Sequence, residues 1–215
     1  MVEHTDVFEE DIFQEWHKLI KLYEFAIDEV YTKLKILTEE LKVFYNEVPV
    51  EHIKTRVKEP RSIIRKLTRL GVEPTPENAM IHLNDIAGIR IVCSYTSDIY
   101  KIFEMLKEQN DLKLIKYKDY VESPKEGGYQ SLHMIVTIPV FLSDGPVDVK
   151  VEIQIRTIAM DFWASLEHKL KYKNYDKAPK HIKDELLECA HIINDLDSRM
   201  LRIKYEIDNY HGEDE

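Results

Sequence analysis

The sequence predicts an α+β protein with a central mixed, mostly antiparallel sheet of about five strands, flanked by helices and extended by long helices at both ends. Two observations carry this prediction: alternating β-branched segments are confined to the middle of the chain, and helical apolar spacing fills the ends. A hydrophobic fraction of 44% over 215 residues supports a buried core. We therefore expect one globular unit, with helical segments 1–50 and 176–215 around a central segment 51–175.

The first part of the chain is predicted to be helical. Apolar residues recur at helical spacing from Phe8 to Tyr45, until the segment NEVPVEH interrupts the pattern. A second helix is predicted from Lys58 to Leu70 and stops at Gly71. A third begins in TPENAMIHL, with Thr75 as its N-cap. The apolar faces of the terminal helices exceed what a small sheet can cover, which indicates either self-association or an intramolecular helical layer.

Four segments in the middle of the chain have the composition of strands. They are GIRIVCSY, LKLIKYKDYV, SLHMIVTIPV and VDVKVEIQIR. A helix capped by Ser97 follows the first, and ESPKEGGYQ predicts a loop between the second and third. Helices return at Ile158 and continue, with a break at NYDKAP, almost to the C-terminal acidic residues. The buried stripe predicted after Ile158 consists of Phe162, Trp163, Leu166 and Leu170.

The formal net charge of −10 argues against broad binding of extended nucleic acid or acidic membranes. Basic residues are nevertheless concentrated between Lys54 and Arg69, against Glu59 alone, which suits a small polyanion. The acidic N-terminus lacks a secretory pattern and no apolar run approaches the roughly 18 residues of a membrane span, so we expect a cytoplasmic protein. Cys93 and Cys189 fit buried thiols better than a disulfide or a zinc site.

The predicted helix after Lys58 has one apolar and one cationic side. At about 100 degrees per residue, the cationic side carries Lys58, Ser62, Arg65, Lys66 and Arg69. Such a face is either a solvated surface or a cradle for a polyphosphate, in which lysines and a serine hydroxyl meet phosphate oxygens near a helix N-terminus. The sequence contains no glycine-rich Walker loop, which excludes a P-loop enzyme.

Two carboxylates are candidates for metal binding or proton transfer. Asp85 precedes a predicted strand that contains Arg90, and it either ligates Mg²⁺ or caps a turn and pairs with that arginine. In VEIQIR, the residues Glu152, Gln154 and Arg156 alternate with apolar residues and share one face of the strand. This face is either a solvated sheet surface or the floor of a site, where Glu152 joins Asp85 to hold a metal or remove a hydroxyl proton.

The segment KYKDYVESPKEGGYQSLH, which includes the predicted loop between the second and third strands, is a candidate nucleotide contact. Lysines there can meet phosphates, a glycine pair permits close backbone approach, and an exposed tyrosine can stack on a base. The residues are Lys116, Lys118, Lys125, Tyr129 and His133. Ordinary packing of Tyr129 and a structural role for His133 are the alternatives.

Four segments in this order resemble the synthetase domain of the RelA/SpoT family: RVKEPRSIIRK, NDIAGIRIVCSY, KYKDYVESPKEGGYQSLH and VEIQIRTIAMDFWASLEHKLKYK. The resemblance extends from Lys54 to Lys173. More narrowly, the chain resembles the small alarmone synthetases of this family. It implies a nucleotidyltransferase-like catalytic domain over residues 51–175 that transfers the β,γ-pyrophosphate of ATP to the 3′-hydroxyl of GDP or GTP, giving ppGpp or pppGpp. It also implies Mg²⁺ as cofactor and a homotetramer formed through terminal helices.

The resemblance implies roles for individual residues. For ATP binding these are Arg56, Lys58, Ser62, Lys66 and Arg90, with the two arginines on either side of adenine. For GDP or GTP binding they are Lys118, Lys125, Tyr129, His133, Gln154 and Asp161, with Tyr129 stacked on guanine. Asp85 and Glu152 are the implied Mg²⁺ ligands, and Glu152 is also the implied catalytic base. Asp161 stands where related sequences often have Asn, and Gln130 where many small members have Arg, so both positions bear on the acceptor.

Two other functions remain open for this sequence. One is transfer of pyrophosphate to the 3′ end of tRNA, against which the net charge of −10 speaks, because an extended RNA favours a broad basic surface. The other is a non-catalytic nucleotide-binding module. The carboxylate pair argues against it, because a protein that only binds nucleotide needs no catalytic base. We therefore expect an enzyme, a GTP diphosphokinase.

Overall fold

The computed structural model describes residues 3–171 and 178–210. The helices in this part of the chain are α1 (Glu3–Tyr45), α2 (Pro60–Arg69), α3 (Pro76–His82), α4 (Thr96–Lys107), α5 (Ile158–Lys171) and α6 (Lys180–Asp208). The strands are β1 (Val50–Val57), β2 (Ala87–Cys93), β3 (Lys113–Asp119), β4 (Leu132–Leu142) and β5 (Gly145–Thr157). The break predicted at NYDKAP falls largely outside the described residues, and α6 begins directly after it.

The strands form one sheet in the order β1-β2-β5-β4-β3. β2 and β5 are parallel, and the other three neighbouring pairs are antiparallel. The predicted α+β fold with a mixed, mostly antiparallel five-stranded sheet is therefore confirmed. The central parallel pair positions the site, because it sets side by side two segments that are far apart in sequence. Along the described residues, no helix is both long and apolar enough to cross a bilayer.

The long helix α1 covers one side of the sheet. It contacts β1, β2, β4 and β5, and it buries Tyr23, Ala26 and Val30 in the same apolar cluster as Ile153 and Ile155 of the central strand. Burial of apolar surface contributes about 25 cal/mol per Å², so this layer is a main source of stability. The polar residues of β5 alternate with the isoleucines and therefore face the other side of the sheet. That second side is left for the site.

The edge strand β1 was not predicted from the sequence. The interruption at NEVPVEH is the start of this edge strand, which pairs with β2. Most residues of β1 are exposed, so the alternation that identifies half-buried strands is weak there. As a consequence α2 begins only at Pro60, and the prediction that Lys58 lies on the helix is wrong. Lys58 follows β1 instead, and its backbone N–H donates to the Ile86 carbonyl at 2.8 Å.

Predictions about helix caps and cysteines had mixed outcomes. Thr75 is the N-cap of α3 as predicted, and its hydroxyl accepts the N–H of the third helical residue. The prediction of Ser97 as the cap of α4 is wrong, because Tyr95 occupies the N-cap position. Cys93 is buried as predicted, but the prediction of a buried thiol is wrong for Cys189, which is exposed on α6.

The buried stripe predicted on α5 is wrong for three of its four residues. Trp163 is buried, whereas Phe162, Leu166 and Leu170 are exposed. The helix packs against β2, β5 and α6, and the three exposed residues lie away from these neighbours. Helical periodicity identified an apolar helix but did not identify which of its faces is covered.

Candidate active site

The strand register aligns polar residues into a rung that crosses the whole sheet. Its members, from β1 to β3, are Lys54, Arg90, Gln154, His133 and Lys118. Residues in register on neighbouring strands project from the same face, so these side chains share the side opposite the buried isoleucines. The polar face predicted for VEIQIR is thus continued by all five strands.

A second rung, offset from the first by two residues on each strand, contains the predicted catalytic base. Arg56, Gly88, Glu152 and Ile135 are in register there. Gly88 places no side chain between Arg56 and Glu152, and its only close neighbour for an added Cβ is the Arg56 carbonyl at 3.8 Å. The site is therefore open beside Glu152, because β2 places no side chain next to it.

Two cavities lie over this face and share Asp85 and Glu152, which together form a seam between them. The first cavity has a volume of about 430 Å³, and its other charged or amide residues are Lys54, Arg56, Lys58, Arg90 and Gln154. The second has a volume of about 270 Å³ and includes Lys66, Lys118, Tyr120 and His133. Cations on both flanks and carboxylates at the seam fit two anionic ligands that meet at the carboxylate pair.

Two lysines bind Asp85. Lys58 Nζ donates to Oδ2 at 2.5 Å, and Lys66 Nζ donates to Oδ1 at 2.7 Å. Burial acts to raise the pKa of Asp85, but the hydrogen bonds and charges of the two lysines outweigh it and hold the pKa below its ordinary value. Asp85 is therefore ionised and holds both ammonium groups at the seam, where a polyphosphate can take them over.

Glu152 is the more basic carboxylate of the pair. Burial raises its pKa, and the charge of Asp85 adds to this, against the opposing hydrogen bond from Gln154 Nε2 at 3.0 Å. His133 Nδ1 lies 3.7 Å from Glu152 Oε1. Burial and three nearby cations lower the pKa of His133 to about 4, so its imidazole is neutral at neutral pH. A carboxylate with a raised pKa beside a neutral imidazole is suited to accept a proton.

The carboxylate pair is also suited to Mg²⁺. Proteins hold this ion through one or two carboxylates, while water and substrate phosphates supply the other ligands. Asp85 and Glu152 both line both cavities. Among the residues that the structure describes, no group of three or more His, Cys, Asp or Glu side chains is arranged to hold a metal. The residues at the seam thus fit an ion that takes its remaining ligands from phosphate and water.

Hydrogen bonds hold Tyr129 behind the second cavity. Its hydroxyl accepts from Arg156 Nη2 at 3.0 Å and lies 2.8 Å from His133 Nε2. Its ring meets that of Tyr120 edge-on, with 6.2 Å between centroids. Lys125 Nζ lies over both tyrosine rings, 4.5 Å from the centroid of Tyr120 and 4.7 Å from that of Tyr129. Tyr120, and not Tyr129, lines the cavity.

Most of the predicted site residues line one of the two cavities. Those that line neither are Ser62, Lys125, Tyr129 and Asp161. Gln154 lies with the predicted ATP residues in the first cavity, and Lys66 lies in the second. Lining residues that were not predicted from the sequence include His82, Asn84 and Tyr120. Of these, Tyr120 had a readable signal, because it directly follows the basic segment KYKD.

The loop that carries Tyr129 is fixed against α6 through Gly128. This glycine has a φ of +84°, and a Cβ there would lie 2.5 Å from Ala190 Cβ. Trp163 packs at the same place, and its indole N–H donates to the Leu186 carbonyl at 3.1 Å. The C-terminal helix therefore braces the loop between β3 and β4, and only glycine fits at the contact.

We expect Gly128→Ala to lower the free energy of unfolding by about 1–3 kcal/mol, because both the positive φ and the contact with α6 oppose a side chain. Chemical denaturation measures the loss. Gly127→Ala is the matched control, since the neighbouring glycine has open space around it and no positive φ. Equal stability of the two variants would contradict close packing at Gly128.

Comparison with known proteins establishes the family. A family model described as "Region found in RelA / SpoT proteins" matches residues 55–177. The chain belongs to the RelA/SpoT family. The matched segment is more than half of the chain and includes every predicted site residue from Arg56 to Asp161.

Members of the RelA/SpoT family match this chain over nearly its whole length. The GTP pyrophosphokinase YwaC of Bacillus subtilis is 48% identical over 197 residues, which cover 92% of this chain and 94% of the relative. The crystal structure of small alarmone synthetase 2 of B. subtilis gives a TM-score of 0.81 at 47% identity, covering 89% of this chain and 99% of that one. Small alarmone synthetase 1 of the same organism, bound to its product pppGpp, gives a TM-score of 0.82 at 34% identity, covering 90% and 98%. The resemblance read from the sequence is confirmed.

Proposed function

We propose that the protein transfers the β,γ-pyrophosphate of ATP to the 3′-hydroxyl of GDP or GTP, giving AMP and ppGpp or pppGpp for stringent-response signalling. The observation that carries this function is the pair of cavities that share Asp85 and Glu152. A reaction between two nucleotides needs two anionic ligands to meet beside a base. Relatives named as a GTP pyrophosphokinase and as a synthetase bound to pppGpp support the same reaction. The protein is thus an enzyme, and its substrates favour a cytoplasmic location.

We assign ATP to the first cavity. Arg56 and Arg90 line it from neighbouring strands, and their planar guanidinium groups are suited to stack on adenine. Lys58 and Lys66 are placed to bind the polyphosphate once it replaces their present carboxylate partner. Ser62 lies one turn before Lys66 on α2 and adds a hydroxyl to the same face.

We assign GDP or GTP to the second cavity. Lys118 and His133 line it, and Lys118 supplies positive charge for the acceptor phosphates. Gln154, hydrogen-bonded to Glu152, is placed to orient the acceptor hydroxyl at the seam. We retain Tyr129 as the residue that stacks on guanine. This use requires Lys125 to leave the face of the tyrosine ring, which frees its ammonium group for a phosphate.

Asp85 and Glu152 would hold Mg²⁺, which when bound neutralises phosphate charge and orients the polyphosphate. The side chains of the protein perform the remaining steps. The two lysines at the seam fix the donor polyphosphate, and Lys118 in the second cavity fixes the acceptor. Holding both reactants in line for attack is the main contribution of such a site to phosphoryl transfer.

Glu152 is the proposed general base. It takes the proton of the acceptor 3′-hydroxyl, and the oxygen attacks the β-phosphorus of ATP. The new bond joins O3′ to the β-phosphorus. The bond between that phosphorus and the oxygen that bridges it to the α-phosphorus breaks, and AMP leaves with this oxygen. Lys58 and Lys66 stabilise the charge that develops on the transferred group, because their ammonium nitrogens already lie within 2.7 Å of the Asp85 oxygens at the seam.

A product assay tests the proposed function. Purified protein is incubated with Mg²⁺ and ATP together with GMP, GDP, GTP or tRNA as acceptor in separate reactions. We expect AMP together with the 3′-pyrophosphorylated guanine nucleotide. No such product with any guanine nucleotide would contradict the proposal, and strong transfer to tRNA alone would favour the alternative tRNA pyrophosphokinase.

We also propose that the protein forms a homotetramer through its terminal helices. Both helices present large apolar side chains to solvent, including Ile36 and Phe44 on α1 and Ile192, Leu196 and Ile203 on α6. Apolar surface of this kind is typical of subunit contacts. Light scattering measures the mass in solution, and a monomeric mass would contradict the proposal.

A further inference from the structure

Asp161 is a nearly buried carboxylate among three cations. It lies in the first turn of α5, and its side chain is 11% exposed. Its Oδ1 accepts a hydrogen bond from Arg90 Nη1 at 3.2 Å and lies 3.5 Å from Arg156 Nη1, and its Oδ2 lies 3.8 Å from Lys54 Nζ. These contacts tie the start of α5 to the three strands β1, β2 and β5.

Two of the three contacts of Asp161, those with Arg90 and Lys54, lead to the first cavity. The third, with Arg156, connects it indirectly to Tyr129 behind the second. Arg90 and Lys54 line the first cavity, whereas Asp161 itself lines neither. Arg156 lies beneath, with its side chain only 2% exposed, and holds Asp161 from the other side. Asp161 can therefore influence a ligand in the first cavity through Arg90 and Lys54 without touching it.

The orientation of Arg90 depends on this carboxylate. The Arg90 side chain is 37% exposed toward the cavity, and its buried Nε has no hydrogen-bond partner. The bond from Nη1 to Asp161 therefore fixes one edge of the guanidinium group. A guanidinium held at its edge keeps its flat face free, and the flat face is the part that stacks on an aromatic base. A carboxylate gives a stronger and more directional contact here than a neutral acceptor.

We propose that Asp161 is a positioning residue of the ATP site, which sets the plane of Arg90 for contact with adenine. This assignment differs from the acceptor contact that the family resemblance implies for the same position. It rests on the proposed function, because it takes the first cavity as the ATP site. Asp161 acts on ATP through Arg90 and does not contact the nucleotide.

Equilibrium binding tests the proposal without turnover. The affinities for α,β-methylene ATP and for GDP are measured separately by calorimetry for the wild type, Asp161→Asn, Arg90→Ala and the double variant. We expect Asp161→Asn to weaken binding of the ATP analogue by about tenfold, the loss of one charge-assisted hydrogen bond. GDP affinity should change much less, because Asp161 reaches Tyr129 indirectly, through the 3.5 Å contact with Arg156. In the Arg90→Ala background the same change has little further effect, because the group through which Asp161 acts is gone.

Two further variants separate positioning from folding. Asp197 is a buried carboxylate on α6 that binds the Thr157 hydroxyl at 2.6 Å, so Asp197→Asn is a matched control that leaves affinity for the ATP analogue unchanged. Arg90→Lys retains the positive charge but has no planar guanidinium group. With Asp161 intact, we expect this variant to lose as much affinity for the ATP analogue as Asp161→Asn.

Several outcomes would overturn the positioning role. These are weaker GDP binding with normal analogue binding, unchanged or tighter analogue binding in Asp161→Asn, and a full additional loss in the Arg90→Ala background. A wild type that binds the ATP analogue but forms no product would refute the proposed function alone, since the role of Asp161 is read from binding. A wild type that does not bind the analogue would refute both.

Discussion

Glu152→Gln is expected to lower product formation by roughly 10³-fold or more while the fold is retained. Glutamine keeps the shape of the side chain, but its amide neither accepts a proton nor offers a charged ligand to a cation. Glu152 lies at the seam where both cavities meet, and burial raises its pKa in the direction that suits a base. The measurement is the initial rate with saturating ATP and GDP, accompanied by circular dichroism and nucleotide affinities.

The control for this variant lies on the same strand. Asp148 is four residues before Glu152 on the same face of β5, but it is exposed and lines neither cavity. Asp148→Asn makes the same change of charge, and we expect it to retain wild-type turnover. Retained turnover in Glu152→Gln would remove the role of general base from this residue.

Local sequence patterns predicted the elements that have a clear hydrophobic period. The alternation in VEIQIR placed Glu152, Gln154 and Arg156 on one face, and the structure has them there, opposite Ile153 and Ile155. The fold class follows from the same patterns, because apolar alternation in the middle of a chain between helical ends leaves few architectures. Local sequence patterns therefore predicted the fold class and the polar face of β5 that lines the site.

These local patterns did not predict which distant segments of the chain become neighbours in the fold. The parallel pairing of Gly88 with Glu152 joins segments whose adjacency has no local signal. The edge strand β1 was missed since its charged residues mask the period, and with it the true position of Lys58. Asp161 was read as an acceptor contact from family resemblance, but its observed partners depend on how α5 folds back over β2. Such placements follow from tertiary packing and not from local composition.

Two carboxylates, Asp85 and Asp161, allow many basic side chains to lie together on the polar face of the sheet when no ligand is bound. Unpaired cations at this density would repel one another and destabilise the fold. Asp85 neutralises two of them at the seam, and Asp161 lies among three more. The basic face is thus balanced internally, and under the proposed function its lysines become available to phosphate when a nucleotide displaces the carboxylate from them.

Asp85→Asn is expected to separate binding from turnover. We expect product formation to fall by roughly 10²-fold or more, because the seam loses one of the two carboxylates suited to a metal. Affinity for α,β-methylene ATP should be retained or increased, since Lys58 and Lys66 lose the anion that now holds them at 2.5 and 2.7 Å. Rates come from the product assay and affinities from calorimetry on the same preparations.

The contrast with a neighbouring carboxylate makes this result specific. Glu59 directly follows Lys58, is exposed, and caps α2 without a side-chain hydrogen bond, so Glu59→Gln should change neither rate nor affinity. If Asp85→Asn instead weakens the ATP analogue and turnover to the same extent, Asp85 organises the donor site by holding the lysines in place. If binding survives and turnover is lost, Asp85 serves the chemical step, and its ion pairs with the lysines are the resting state that ATP replaces.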